Sequence, residues 1–103
     1  MTSLTIQKSL ENDTYTITVS GRLDTSNSVQ FDNESRPCTK DAKKMILDFE
    51  HLEYISSSGL RVILRLHKIM SEKGGELVVR KPTRMVTEVL DVTGFGEVLN
   101  IEK

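Results

Sequence analysis

Three consecutive hydroxyls, Ser56, Ser57 and Ser58, stand directly before Gly59 and Leu60, where apolar residues begin to recur at helical spacing. Serines in that position have two kinds of chemistry open to them. A serine oxygen can accept a hydrogen bond from a free backbone N–H of the first turn and so cap the helix. A serine can also be a nucleophile if a histidine and a carboxylate meet it, and Ser57 with His51 and Asp24 or Asp48 is the set such a triad would recruit. Nothing in the spacing favours that set, and Ser-Ser-Ser-Gly is not a strained nucleophile elbow.

The other reactive residue types are sparse. One cysteine, Cys38, excludes an internal disulfide and a multi-cysteine metal site. His51 and His67 lie sixteen positions apart without a partner set for a metal, so no metal is expected. Gly74-Gly75 lacks the glycine spacing and the lysine of a phosphate-binding loop. Gly94-Phe95-Gly96 follows a helical pattern rather than a strand, which argues against a dinucleotide site. No cofactor is expected.

The serines need an element to hold them. Met45 to Phe49 is an apolar run broken only by Asp48, which suits a buried strand covered on both faces. A short loop leads from it to the serines. At about 100° per residue, Leu60, Val62, Ile63, Leu64, Leu66, Ile69 and Met70 cover most of the following helix, so that helix is largely buried. Arg61, Arg65, Lys68 and Glu72 share its one charged stripe, either a solvated face with Glu72 completing an i,i+4 pair or a partner surface. If it binds, three cations on one helix favour an acidic protein patch over DNA.

Before this unit, Leu4–Lys8 and Tyr15–Ser20 read as two strands joined by a turn at Glu11-Asn12-Asp13, with Gly21 ending the second. Asp24, Thr25 or Ser26 then caps a weakly written helix to about Ser35. Its large apolar residues are Val29 and Phe31, and Pro37 stops it. After the central helix, Lys73-Gly74-Gly75 makes a cap and turn, and Glu76–Arg80 is a strand. Pro82-Thr83 opens a last helix with Val86, Val89 and Leu90 on one face. Gly94-Phe95-Gly96 breaks it, and Val98–Ile101 is a short edge strand. The expected fold is α/β: an antiparallel pair feeding a parallel βαβ unit, in a mixed sheet of four to five strands with helices packed on it.

The 103 residues suit a single domain spanning 1–103. Lys and Arg total 14 against 15 Asp and Glu, so no bulk charge draws the chain to nucleic acid or an anionic membrane. No run approaches the roughly 20 apolar residues of a membrane span, and the polar N-terminus lacks a signal-peptide core. These features point to a soluble, cytoplasmic domain.

Three segments, in this order and at these distances, resemble the STAS-domain family. They are Ser20-Gly21-Arg22-Leu23-Asp24 after the second strand, Leu47-Asp48-Phe49 leading to Tyr54-Ile55-Ser56-Ser57-Ser58-Gly59-Leu60-Arg61-Val62, and Val92-Thr93-Gly94-Phe95-Gly96-Glu97-Val98. The resemblance covers nearly the whole chain and is nearest to the small stand-alone anti-sigma factor antagonists of bacteria. It implies a binding switch without catalysis of its own. Such antagonists bind an anti-sigma factor that is also a serine/threonine kinase and so free the sigma factor. The kinase phosphorylates a serine at the start of the central helix, the antagonist lets go, and a serine phosphatase resets it. By position the acceptor falls on Ser57, with Ser56 and Ser58 as alternates. The implied docking surface comprises Asp24, Thr25, Ser56, Ser57, Ser58, Gly59, Arg61 and Arg65, with Gly59 allowing a partner backbone to approach closely. Many phosphorylated members carry aspartate where this chain has Ser56. Two other readings remain at this point: a STAS scaffold that is not phosphorylated, within a larger signalling or transport assembly, and a small hydrolase or nucleotide-binding protein using the serine-rich loop.

Overall fold

A computed structural model describes residues 4–103. The first two strands, β1 (Thr5–Glu11) and β2 (Thr14–Leu23), form an antiparallel hairpin in the register Thr5↔Ser20 to Glu11↔Thr14. Asn12 takes the left-handed conformation (φ 58°) that a two-residue hairpin turn demands. The main chain then forms α1 (Ser28–Ser35), β3 (Lys44–Asp48), β4 (Leu52–Ile55), α2 (Ser57–Glu72), β5 (Glu76–Arg80), α3 (Arg84–Thr93) and β6 (Asn100–Glu102). The sheet order is β1-β2-β3-β5-β6, with β4 paired to β2 alone. All pairings after the hairpin are parallel, and β3 and β5 are the neighbours that the α2 crossover joins.

The sheet has six strands, one more than the upper expectation, because the loop before the serines contains β4. Gly21 makes this possible. It does not end β2. It takes φ 97°, donates its N–H to the His51 carbonyl at 3.1 Å, and lies at a register shift in the β2–β4 pairing. A positive φ is inexpensive only for glycine, so the bend is written at that residue. Before it, β2 pairs with β3 through Thr14–Thr18; after it, β2 pairs with β4 through Leu23↔Ile55.

Nor is β3 covered on both faces. Met45 and Leu47 are fully buried, whereas Lys44, Ile46 and Asp48 are half-exposed on the opposite face. That face carries charge: Arg80 donates to Asp48 across the β3–β5 pair at 3.0 Å. Burial pushes the Asp48 carboxyl up, but the Glu50 N–H and the Arg80 guanidinium outweigh it and leave the carboxyl below its ordinary range. The covered face carries the core, where Ile17, Val19, Met45, Leu47, Leu77 and Val79 meet Phe31 of α1 and Leu60, Ile63, Leu66 and Met70 of α2.

The other boundaries follow local chemistry. Pro37 does not simply stop α1; it sits in a 3₁₀ turn, Arg36–Lys40, whose last carbonyls receive the Lys73 ammonium from the end of α2. Thr83 caps α3 and also donates to the Leu52 carbonyl at 2.7 Å, tying α3 to β4. Gly94, at φ 81°, ends α3, and the last strand begins at Asn100 rather than Val98 because Phe95–Glu97 forms one further 3₁₀ turn. Among the described residues no helix is long and apolar enough to cross a membrane.

Candidate functional site

The serine segment sits where β4 ends. The Ser56 N–H donates to the Leu23 carbonyl at 2.8 Å, so the last pairing of the bent β2 strand fixes the first residue of the helix turn. Ser56 is buried and extended (φ −92°, ψ 171°), and its Oγ accepts the Gly59 N–H at 3.2 Å. That is an N-cap. Serine and aspartate both fill this role well, so Ser56 keeps the cap that an aspartate there would provide.

The three hydroxyls are thereby separated by environment. Ser56 is spent on the cap. Ser58 is half-buried and donates to Thr25 Oγ1 at 3.5 Å, bridging α2 to the loop before α1. Ser57 is exposed, in the first turn of α2.

Gly59 lies beneath them and is buried. A Cβ at this position would come within 2.7 Å of Leu23 Cγ and 3.1 Å of Ile55 Cγ1. Its lack of a side chain therefore serves contact inside the protein, where α2 crosses the ends of β2 and β4. The sequence invites a different reason, approach by a partner; the buried glycine is accounted for without one.

Asp24 and Thr25 lie beside the serines, in the loop from β2 to α1. Asp24 does not cap α1, and neither do Thr25 or Ser26. The N-cap position is Asn27, whose side chain bonds backward: its Oδ1 accepts the Asp24 N–H at 2.9 Å and its Nδ2 donates to the Arg22 carbonyl at 2.8 Å. Asp24 Oδ1 accepts the Ser26 hydroxyl at 2.6 Å and the Ser26 N–H at 3.0 Å. The Ser26 hydroxyl bond is the main reason the Asp24 carboxyl lies below its ordinary range, against some opposing desolvation. Arg22 stacks over the Tyr54 ring at 4.3 Å, on the β2–β4 pair just behind this loop.

Between the helices runs an open groove of about 180 Å³. From α1 it is lined by Ser28, Val29 and Asp32, and from α2 by Ser58, Arg61, Val62 and Arg65. Asp32 is 9% exposed and is the ionic centre of the groove. It accepts Arg36, the first residue of the 3₁₀ turn after α1, in a two-point ion pair and Arg65 of α2 at 3.2 Å. The expected i,i+4 pair of Lys68 with Glu72 does not form among the described residues; the α2 stripe is tied instead through Arg65 to α1. Sequence reading missed Asp32, which lies 33 positions from Arg65. Its placement one turn before Arg36 was the available signal for the local half of the pair.

The remaining candidates lie elsewhere. Cys38 is a buried residue of the 3₁₀ turn, and burial pushes its thiol up, away from reactivity. Among the described residues, no three or more His, Cys, Asp and Glu cluster as a metal site would require.

The fold that carries this site is shared with known proteins. The STAS domain model matches residues 5–103. An anti-sigma F factor antagonist of Paenibacillus polymyxa is 31% identical over 87 residues, 82% of this chain and 74% of that protein. BtrV of Bordetella bronchiseptica is 36% identical over 76 residues, 73% of this chain and 66% of that protein. Among solved structures, the unphosphorylated form of the anti-sigma factor antagonist SpoIIAA superposes with a TM-score of 0.83 at 20% identity, covering 96% of this chain and 89% of that one. The phosphorylated form of SpoIIAA gives 0.76 at 20% identity, covering 96% and 92%.

Proposed function

This chain belongs to the STAS-domain family, and we propose that it is an anti-sigma factor antagonist switched by phosphorylation of Ser57. In this reading it binds an anti-sigma factor that is also a serine/threonine kinase, and binding releases the sigma factor. The kinase phosphorylates Ser57, the complex separates, and a serine phosphatase restores the binding form. The chain itself catalyses nothing. An anti-sigma factor works where RNA polymerase works, so this reading makes the chain cytoplasmic.

The observation that carries the acceptor is the division of labour among the three serines. Ser56 Oγ is occupied by the Gly59 N–H, Ser58 Oγ by Thr25, and Ser57 alone is exposed. A phosphate adds roughly −1.5 to −2 charges at neutral pH. In the first turn of α2 it would face the positive end of the helix dipole, so the fold tolerates it. Its effect then falls on the surface a partner covers. Asp24, Thr25, Ser57, Ser58, Arg61 and Arg65 make that surface, with Ser56 and Gly59 holding it from below.

The test is incubation with ATP and candidate anti-sigma kinases, followed by intact-mass and peptide mapping of the wild type and of Ser56→Ala, Ser57→Ala and Ser58→Ala. The expected result is one phosphate, lost only in Ser57→Ala, with loss of kinase binding on phosphorylation. Tight binding with no phosphate, unaffected by Ser57→Asp, would replace the switch with an unphosphorylated scaffold.

A further inference from the structure

Arg61 is a cation without an anion. Two guanidiniums, Arg61 and Arg65, and one buried carboxylate, Asp32, line the α1–α2 groove, and Arg36 reaches the same carboxylate from the turn after α1. Asp32 is fully engaged by Arg36 and Arg65. Among the described residues Arg61 has no carboxylate within ion-pair distance, although it lines the groove and is exposed. The formal net charge of the chain is −1, so this excess of positive charge is local to the groove and not a property of the whole surface. Beside it, Val29 is 66% exposed, an apolar shelf at the groove's edge.

We propose that the α1–α2 groove receives an acidic side chain of the docking partner, gripped by Arg61, with an apolar neighbour of that side chain resting on Val29. This inference rests on the docking reading above. A guanidinium presents paired N–H donors that match a carboxylate in a two-point bond, and covering the groove would desolvate that bond and strengthen it. Asp32 keeps Arg65 folded back, so one guanidinium rather than two is offered. The groove thus takes a single carboxylate, not a polyanion. It also lacks the interleaved aromatics that nucleic acid would call for.

The same guanidinium accounts for release. Ser57 is four residues before Arg61, so the two share one face of α2. A phosphate on Ser57 is a stronger acceptor than a carboxylate and belongs to the same molecule. It takes Arg61 from the partner and at the same time repels the incoming acid.

The experiment measures binding of the purified anti-sigma kinase that phosphorylates Ser57 to the wild type, Arg61→Gln and Lys68→Gln. Arg61→Gln weakens binding by about tenfold or more, while Lys68→Gln, on the same helix outside the groove, stays within about twofold. Arg61→Glu abolishes binding, and one acidic-to-lysine substitution on the kinase restores it. Phosphorylation of Ser57 weakens the Arg61→Gln complex less than the wild-type complex. Unchanged unfolding midpoints for both variants exclude a folding defect. Wild-type affinity in Arg61→Gln, equal losses in Arg61→Gln and Lys68→Gln, or no restoring substitution on the kinase overturns the inference and leaves the docking reading standing. A wild type that no such kinase binds overturns both.

Discussion

The two walls of the groove are helices held by different forces. The longer, α2, runs 16 residues and buries Gly59, Leu60, Val62, Ile63, Leu66 and Met70, with a side-chain cap at its start. The shorter, α1, runs 8 residues, has no side-chain cap bond, and buries one large apolar residue, Phe31; its other buried residues are Ser28, Asp32 and Ser35. Apolar packing fixes α2. A single ring and a set of polar ties hold α1: Asp32 to Arg65, Ser58 to Thr25, and Asn27 back to Arg22. The groove therefore has one rigid wall and one wall whose position depends on charges and hydroxyls at the surface. Ser57 lies on the rigid wall, and none of these ties passes through it. The difference teaches that two helices forming one groove can be built from different interactions, apolar burial on one side and ion pairs and hydroxyls on the other.

The sharpest way to break this contrast is to remove the one apolar anchor of α1. Phe31 is fully buried. Phe31→Ala is expected to lower stability by about 3–5 kcal/mol, measured by urea unfolding. Hydrogen exchange should show the α1 amides losing protection while those of α2 keep more of theirs. If α2 loses protection to the same degree, the two helices form one cooperative unit and the contrast fails.

The next largest effect belongs to α2 and comes from adding atoms. Gly59→Ala gains helix propensity but places a Cβ 2.7 Å from Leu23 and 3.1 Å from Ile55. A net loss of about 1–3 kcal/mol is expected, since both neighbours are buried and the overpacking has little room to relax. Docking of the correctly folded fraction should persist. A variant of wild-type stability that no longer binds would return Gly59 to the role of a partner's contact point.

Ser56 carries a smaller share. Ser56→Ala is expected to cost about 1 kcal/mol by leaving the Gly59 N–H without its acceptor, whereas Ser56→Asp should match the wild type in thermal unfolding. A loss in Ser56→Asp equal to that in Ser56→Ala would mean that the buried site accepts only the hydroxyl.

How much of this was legible in the sequence follows the same division. The α2 helix could be read because its apolar periodicity is a local property of sixteen residues, and its cap lay among three serines directly before it. The β1–β2 hairpin could be read from alternation and a polar turn. By contrast, β4 has four residues, two of them buried, and owes its existence to pairing with Leu23 across a bend at Gly21 that no local pattern announces. Of the candidate caps for α1, Asp24, Thr25 and Ser26 had the right side chains, yet Asn27 took the position because its amide could reach Arg22 as well as Asp24. The stripe on α2 was visible and the helix that carries Asp32 was placed to about Ser35, but a pairing across 33 positions leaves no local pattern to read. For Gly59 the position was legible and the reason was not: a missing side chain looks the same whether it serves a partner or the core.

The smallest effect sharpens the contrast most selectively, because the bonds that lead into the two walls differ in whether they titrate. The α2 cap is a serine oxygen and holds the Gly59 N–H at any pH where the fold survives. The lead into α1 depends on the Asp24 carboxylate, which accepts both the N–H and the hydroxyl of Ser26. Those bonds favour the charged form, so the folded Asp24 carboxyl lies below its ordinary value. A depressed folded value means the stabilisation is fully present above the unfolded value of about 3.9 and is lost as pH falls through the folded one. Acid should therefore loosen the loop before α1 while the start of α2 stays capped. In an amide NMR titration, Ser26 and Asn27 should shift with a midpoint below about 3.9, and Gly59 should stay flat through that range. Ser26→Ala removes the hydroxyl donor but leaves the N–H, so it should move the midpoint up without reaching the ordinary value. Co-titration of Gly59 with Ser26 would mean that the Asp24 turn and the α2 cap share one structural unit, and that the responsive wall is not separable from the rigid one.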